Sequence, residues 1–201
     1  METQAPVSSK VLRLKGMDGL VKRNATYADL DDVPEGKVGQ LIDGDLYVCA
    51  RPRIRHALAI TRLLSGLGPA DDDPSAKGWL FLLEVEIWFG KNQKNLLVPD
   101  IAGWRRNRVP ADIDIQTLDT IPDWVCEGLS PSTTRIDRGR KRELYAKYGV
   151  KHLWYADPKR REVEILTLDR GSYRVTQIGT SERGVFAPFT HEIDLARLWK
   201  P

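Results

Sequence analysis

A chain of 201 residues with 41% hydrophobic residues and six Trp can build one sizeable core, and its length excludes much beyond a domain with a tail. No run approaches the about 18 apolar residues of a membrane span, and the opening Met-Glu-Thr-Gln-Ala-Pro lacks the charged-then-apolar pattern of an export signal. A net charge of +3 is too small to argue by itself for nucleic acid, so where the charges lie matters more than their sum.

In chain order, residues 1–25 are polar and basic without periodicity and read as a loosely attached arm; residues 26–201 read as one domain. Thr26-Tyr27-Ala28-Asp29 has the spacing of a capping box and predicts a short helix. Gln40 to Val48, centred on Asp43-Gly44, predicts a hairpin, because Asp-Gly supplies the positive φ angles of a type I′ turn. Leu58, Ile60, Leu63, Leu64 and Leu67 predict a helix over 54–67, followed by a surface loop through Gly68-Pro69 and Asp71-Asp72-Asp73-Pro74. Strands are predicted at 79–89, 96–104, 124–129 and 153–156, with a helix from Arg135 to Tyr148 capped by Gly149. Glu162 to Leu168 and Tyr173 to Ile178 make a second hairpin, and an amphipathic turn ends at Trp199. The order predicts an α/β (α+β) chain with a mixed sheet and flanking hairpins. Cys49 and Cys126 read as reduced core thiols of a cytoplasmic protein, and His56, His152 and His191 show no zinc-ligand spacing.

Two acids stand out, Asp100 in Val-Pro-Asp-Ile-Ala-Gly-Trp and Glu127 in Trp-Val-Cys-Glu-Gly-Leu, each inside an apolar run of the kind that forms a buried strand. An ionised carboxylate there is costly unless it is paired or holds a metal. Strand alternation puts Asp100 with Ala102 and Trp104, Glu127 with Val125 and Leu129, and Glu84 and Glu86 together on a third strand. If the three strands are neighbours the acids converge, and oxygen-only ligation suits a hard cation, Mg²⁺ or Mn²⁺, whose usual task is phosphodiester hydrolysis. The competing reading is an acid at a strand end, open to water or paired with an Arg.

Between Arg135 and Lys151 seven basic residues stand against Asp137 and Glu143, a local charge of +5. Arg135, Arg138, Arg140 and Arg142 are the expected nucleic-acid contacts, against the plainer view of a solvated helix face. Lys141 shares a helical stripe with Asp137, Leu144, Tyr145 and Tyr148, so it is expected to face inward and serve catalysis, or else to make a structural salt bridge with Asp137 or Glu127.

Pro99-Asp100 followed by Glu127 resembles the PD-(D/E)XK nuclease superfamily. Within it, the run from Pro122 to Thr133, the run from Asp137 to Tyr145, the run from Gly149 to Pro158, Leu41-Ile42-Asp43-Gly44-Asp45-Leu46 and Glu84-Val85-Glu86 resemble the Uma-two family of bacterial putative restriction endonucleases, over roughly residues 26 to 199. The resemblance implies a restriction-endonuclease-like core, a Mg²⁺ site, DNA as partner, no membrane and a homodimer. By motif position it makes Asp100 and Glu127 metal ligands, Glu86 a third, and Lys141 the catalytic lysine. The superfamily's lysine two residues after the Glu is replaced by Leu129. Gln40 stands where relatives often carry Glu, and Gly128 where a β-branched residue is common. Three functions follow: a Mg²⁺-dependent endonuclease, a catalytically silent binder of nucleic acid or protein, and a phosphoester hydrolase with a small substrate.

Overall fold

The computed structural model describes residues 19–75, 77–109 and 114–200. Residues 1–18 of the expected arm lie outside that set. The remainder of the arm is no loose tail: Gly19–Lys22 forms β1, and Ala25 is buried. Next come β2 (Lys37–Ile42) and β3 (Asp45–Ala50), the predicted hairpin, with Asp43 and Gly44 at φ 53° and 79°. β1 pairs with the outer edge of β3. Between β1 and β2, Asp29 accepts the Thr26 N–H at 2.9 Å, and Tyr27–Asp32 coils as the short 3₁₀ turn the capping box predicts.

The helix α1 (Ile54–Gly66) forms as predicted, and the expected loop after it holds one short helical turn, Gly68–Asp71. The two long predicted strands each break in two. The first gives β4 (Trp79–Leu83) and β5 (Ile87–Trp88); the second gives β6 (Leu96–Leu97) and β7 (Ile101–Arg105). Glu84 breaks the first with a left-handed backbone, φ 47°, and Pro99 interrupts the second, having no N–H to give a ladder. Both breaks occur side by side, the Glu84 N–H meeting the Asp100 carbonyl at 3.3 Å. There the chain passes between a sheet ordered β1-β3-β2-β6-β5 and a larger sheet in which β4 is the edge strand and β7 its neighbour.

The larger sheet continues with β8 (Trp124–Gly128), β9 (His152–Asp157), β10 (Glu162–Asp169) and β11 (Ser172–Gly179). β8 and β9 are parallel, joined by the helical segment α2 at 134–147, while β10 and β11 are the second predicted hairpin. A small ladder, β12 (Arg183–Val185) with β13 (Glu192–Asp194), precedes the terminal turn Ala196–Trp199.

β8 is buried along its whole length, as expected of a strand covered on both faces. Trp124 and Cys126 face one core with Ile60, Leu63, Phe189 and Leu198; Val125 faces the other with Ala102, Leu144, Tyr145 and Tyr155. Glu127 is therefore on the α2 side by simple alternation. Both Cys49 and Cys126 are free and buried. Among the described residues no helix is long and apolar enough to cross a membrane.

One group makes this core acid-sensitive. Burial first, then the charges of Lys151 and Arg105, push the His152 imidazole down to about 4 from an ordinary 6.5. Between those values the unfolded chain binds a proton that the folded chain refuses, so the stability this group supplies is complete above about pH 6.5 and falls as pH drops toward about 4. His152→Gln should flatten the dependence of urea-unfolding stability on pH across that window. A slope equal to wild type would assign the sensitivity to other groups.

Candidate active site

The β7–β8 ladder registers Ile101 against Cys126, so the next pair outward is Asp100 and Glu127. Directly opposed residues point to the same face, and both carboxylates line one cavity of about 450 Å³. Its floor also carries Asp137 and Lys141 from α2 and His56 from the first turn of α1, and Glu84 stands at its side.

Lys141 reaches the acids as expected, and does so while almost wholly buried, at 2% exposure. Its ammonium lies 2.6 Å from Glu127 Oε1 and 3.4 Å from Asp137 Oδ1. The Tyr145 hydroxyl donates to the same Glu127 Oε1 at 2.5 Å. α2 is not one regular helix: 137–141 is wound as a π-turn with Gly139 at φ −100°, ψ −105°, between two α-helical pieces. Such local widening recurs at functional sites, and here the wide turn carries the Asp137–Lys141 pair. Its start is capped within the Ser130-Pro131-Ser132-Thr133 run, where Ser130 Oγ lies 2.9 Å from Thr133 Oγ1 and accepts the Thr133 N–H at 3.3 Å. The most distinctive run in the chain thus turns β8 into α2.

The electrostatics follow from burying Glu127 and Asp137 beside one cation, with the half-buried Asp100 close by. Burial, strongest of the effects, and the charges of Asp137 and Asp100 push the Glu127 carboxyl up to about 8, against the pull of Lys141. Burial works to discharge Lys141, but Glu127 and Asp137 outweigh it and hold the ammonium charged.

Asp100 is held differently. Oδ1 meets His56 Nε2 at 2.8 Å, and Oδ2 accepts the Gly128 N–H at 2.7 Å. His56 has no ligand spacing in the sequence, yet a signal is present: it precedes Ile60, Leu63 and Leu67 on the buried stripe of α1. Burial opposes its protonation, but the hydrogen bond and charge of Asp100 prevail and raise its pKa. Its Nδ1 is buried with no protein partner. The ring lies over Gly128, where a Cβ would come within 2.5 Å of Cε1 and 2.7 Å of Nε2. This explains glycine where a β-branched residue is common. Gln40 Oε1 accepts the Val98 N–H at 2.9 Å and holds the chain just before Asp100, a bond that a Glu would accept equally.

Glu86 corrects an expectation. It does not line the cavity; its carboxylate accepts the Tyr27 hydroxyl at 2.9 Å. The kink at Glu84 resets the alternation, so Glu84 takes the cavity side, 3.2 Å from Arg51 Nη1. Among the described residues no three His, Cys, Asp or Glu side chains gather into a metal cage. Two carboxylates such as Asp100 and Glu127 are the donor set that Mg²⁺ typically takes, with water and substrate phosphate completing its shell.

The basic stretch is also rearranged. Arg138 grips Glu164 with both amino groups and stacks 4.8 Å over the Tyr155 ring. Arg142 donates to the Tyr173 carbonyl at 2.9 Å and is half-buried instead of facing solvent. Arg135 and Arg140 do not line the cavity.

Lys141→Met should destabilise the fold by about 3–5 kcal/mol in urea unfolding, since it strands two buried carboxylates, and adding Glu127→Gln should recover part of the loss. Gly128→Ala should cost about 1–3 kcal/mol through overpacking. Combined with His56→Ala, it should cost much less than the two single changes added together, because the second change vacates the space. A double-mutant cycle showing simple additivity would refute the steric account.

Residues 25–196 match the family Uma2, described as "Putative restriction endonuclease". No match is found among curated proteins. Among solved structures the chain is similar to the crystal structure of a putative nuclease belonging to DUF820 from Anabaena variabilis ATCC 29413, with a TM-score of 0.68 at 19% identity, covering 87% of this chain and 97% of that one. That likeness shows a shared mixed α/β fold. The family match spans most of the sequence and includes Asp100, Glu127, Lys141 and the Ser130–Thr133 turn between them: the chain belongs to the Uma2 family.

Proposed function

We propose that the protein is a Mg²⁺- or Mn²⁺-dependent endonuclease that hydrolyses DNA phosphodiesters in the cytoplasm. The observation that carries this reading is the convergence of Asp100, Glu127 and Lys141, from two adjacent strands and the crossover helix, on the floor of one cavity. A divalent cation held by Asp100 and Glu127 would neutralise charge on the phosphate and lower the pKa of the attacking water. The chain's own contribution is orientation. His56 and the Gly128 N–H fix both oxygens of Asp100, so the carboxylate need not reorganise. Tyr145 holds Glu127 from below. Lys141, kept charged by Glu127 and Asp137, supplies a fixed donor for the attacking water or a phosphoryl oxygen.

A second reading, a silent member that binds without cutting, draws on one observation: Lys141 already neutralises Glu127, and two acids alone make a weak metal site. The two readings part on metal. Asp100→Asn should abolish most Mn²⁺-dependent cleavage of plasmid DNA while leaving the metal-free melting temperature level or higher, since Asn is nearly isosteric and relieves repulsion among the acids. Mn²⁺ should stabilise wild type, by about 2.7 kcal/mol at a hundredfold excess over its dissociation constant, and the variant much less. Wild type that shows neither metal-dependent stabilisation nor cleavage of duplex, single-stranded DNA or RNA establishes the silent reading.

A further inference from the structure

The cavity has opposite signs at its floor and its mouth. Asp100, Glu127 and Asp137 outnumber Lys141 below, while Arg51, Arg53, Arg55 and Lys159 line the entrance. Arg51, Arg53 and Arg55 belong to the segment that leaves β3 and opens α1; Lys159 sits in the β9–β10 turn. That turn is held by Asp157, whose Oδ1 accepts the N–H groups of Lys159 at 2.9 Å and Arg160 at 3.0 Å. From segments far apart in sequence these four cations meet at one opening.

Three features mark the entrance as built for a polyanion. First, Arg53, Arg55 and Lys159 are exposed and make no ion pair among the described residues, and Arg51 has only its solvent-exposed contact with Glu84. Second, α1 starts with Arg53 at its N-cap position and Arg55 in its first turn, with no acidic residue there. The positive end of a helix macrodipole disfavours cations, so this placement works against the helix unless an anion joins it. Third, Ile54, between the two arginines, is 87% exposed, an apolar side chain where a sugar or base edge would lie beside phosphates. The 135–142 arginines contrast with this: Arg138 and Arg142 are engaged inside the fold, and none of the four lines the cavity.

We propose that Arg51, Arg53, Arg55 and Lys159 are the backbone-gripping residues for a nucleic-acid strand entering this cavity, in place of the basic helix; the inference rests on the nuclease reading above. Each phosphate neutralised releases condensed counterions and steepens the salt dependence of binding. The acidic floor repels a bare phosphate, so the grip should tighten when a divalent cation is present.

The test is fluorescence anisotropy of the full chain with labelled duplex and single-stranded DNA in Ca²⁺, titrated with salt. R53A/R55A/K159A should bind at least ~10-fold more weakly than wild type, and its log–log salt slope should be shallower by about 0.7–0.9 for each phosphate it no longer neutralises, with an unchanged melting temperature. R135A/R140A should keep the wild-type slope. An unchanged slope in the triple variant, or a slope lowered only in R135A/R140A, overturns the proposal, as does wild type that binds no DNA. Failure of the nuclease reading looks different: the triple variant still shows the weaker, less salt-dependent binding, yet wild type with Mn²⁺ cuts nothing, and the grip then belongs to a binding protein.

Discussion

The buried contact between Lys141 and Glu127 is the constraint to which the surrounding structure is fitted. Moving two such charges out of water costs several kcal/mol each, and their attraction offsets this only with good geometry and further hydrogen bonds. The protein provides both. Tyr145 completes Glu127 from the next turn of α2, and Asp137 lies one turn earlier on the other side of the ammonium. The π-wound 137–141 turn sets that spacing, and the parallel β8–β9 crossover presses it against the sheet. An apolar pair of equal volume often serves stability as well, so the fold alone does not call for this pair, and the proposed chemistry would give it a use.

Around that contact, much of the framework is legible in the sequence because its signals are local. The Asp43-Gly44 turn, the Gly149 cap, the continuous apolar run of β8 and the helical stripe from Asp137 to Tyr148 each announce themselves within a few residues. Periodicity and family likeness together place Asp100, Glu127 and Lys141 on facing elements. Of the two sheet changes only the second has a local signal, Pro99. Leu80, Leu82, Val85 and Ile87, like Leu97, Val98 and Ile101, are apolar straight through the break, so hydrophobic pattern reads as one long strand where the backbone makes two. A left-handed Glu84 has no sequence signature, and it inverts which of Glu84 and Glu86 reaches the cavity.

Charge is hard to read along a chain for a related reason. A linear count records how many arginines a helix bears, not which acids the fold brings to meet them. Glu164 comes to Arg138 from β10, and the Tyr173 carbonyl comes to Arg142 from β11, across 26 and 31 residues. The sparse Arg51-Pro52-Arg53-Ile54-Arg55 segment carries no motif, yet tertiary structure leaves most of its charge uncompensated at the cavity mouth. His56 belongs with it in part: its place on the buried stripe of α1 is readable in the sequence, but its contact with Asp100 beside Gly128 is not.

These features converge on one electrostatic argument. With Asp100, Glu127 and Asp137 ionised, one ammonium leaves these four groups with two surplus negative charges, and the rise in the Glu127 pKa reflects burial first and then the charges of Asp137 and Asp100. A proton on Glu127 would relieve this surplus in part; the divalent cation proposed at Asp100 and Glu127 would relieve it fully and exchange repulsion for ligation. The same cation would turn the floor from a barrier to phosphate into an attraction, whereas the basic mouth carries its positive charge with or without metal. On the proposed reading, a site with fixed positive charge at its entrance and metal-dependent charge at its base would admit a strand's backbone first and engage a single phosphate only with metal in place. That separation of gripping from engagement would follow from where the acids and arginines lie along the depth of the cavity, and neither cluster would produce it alone.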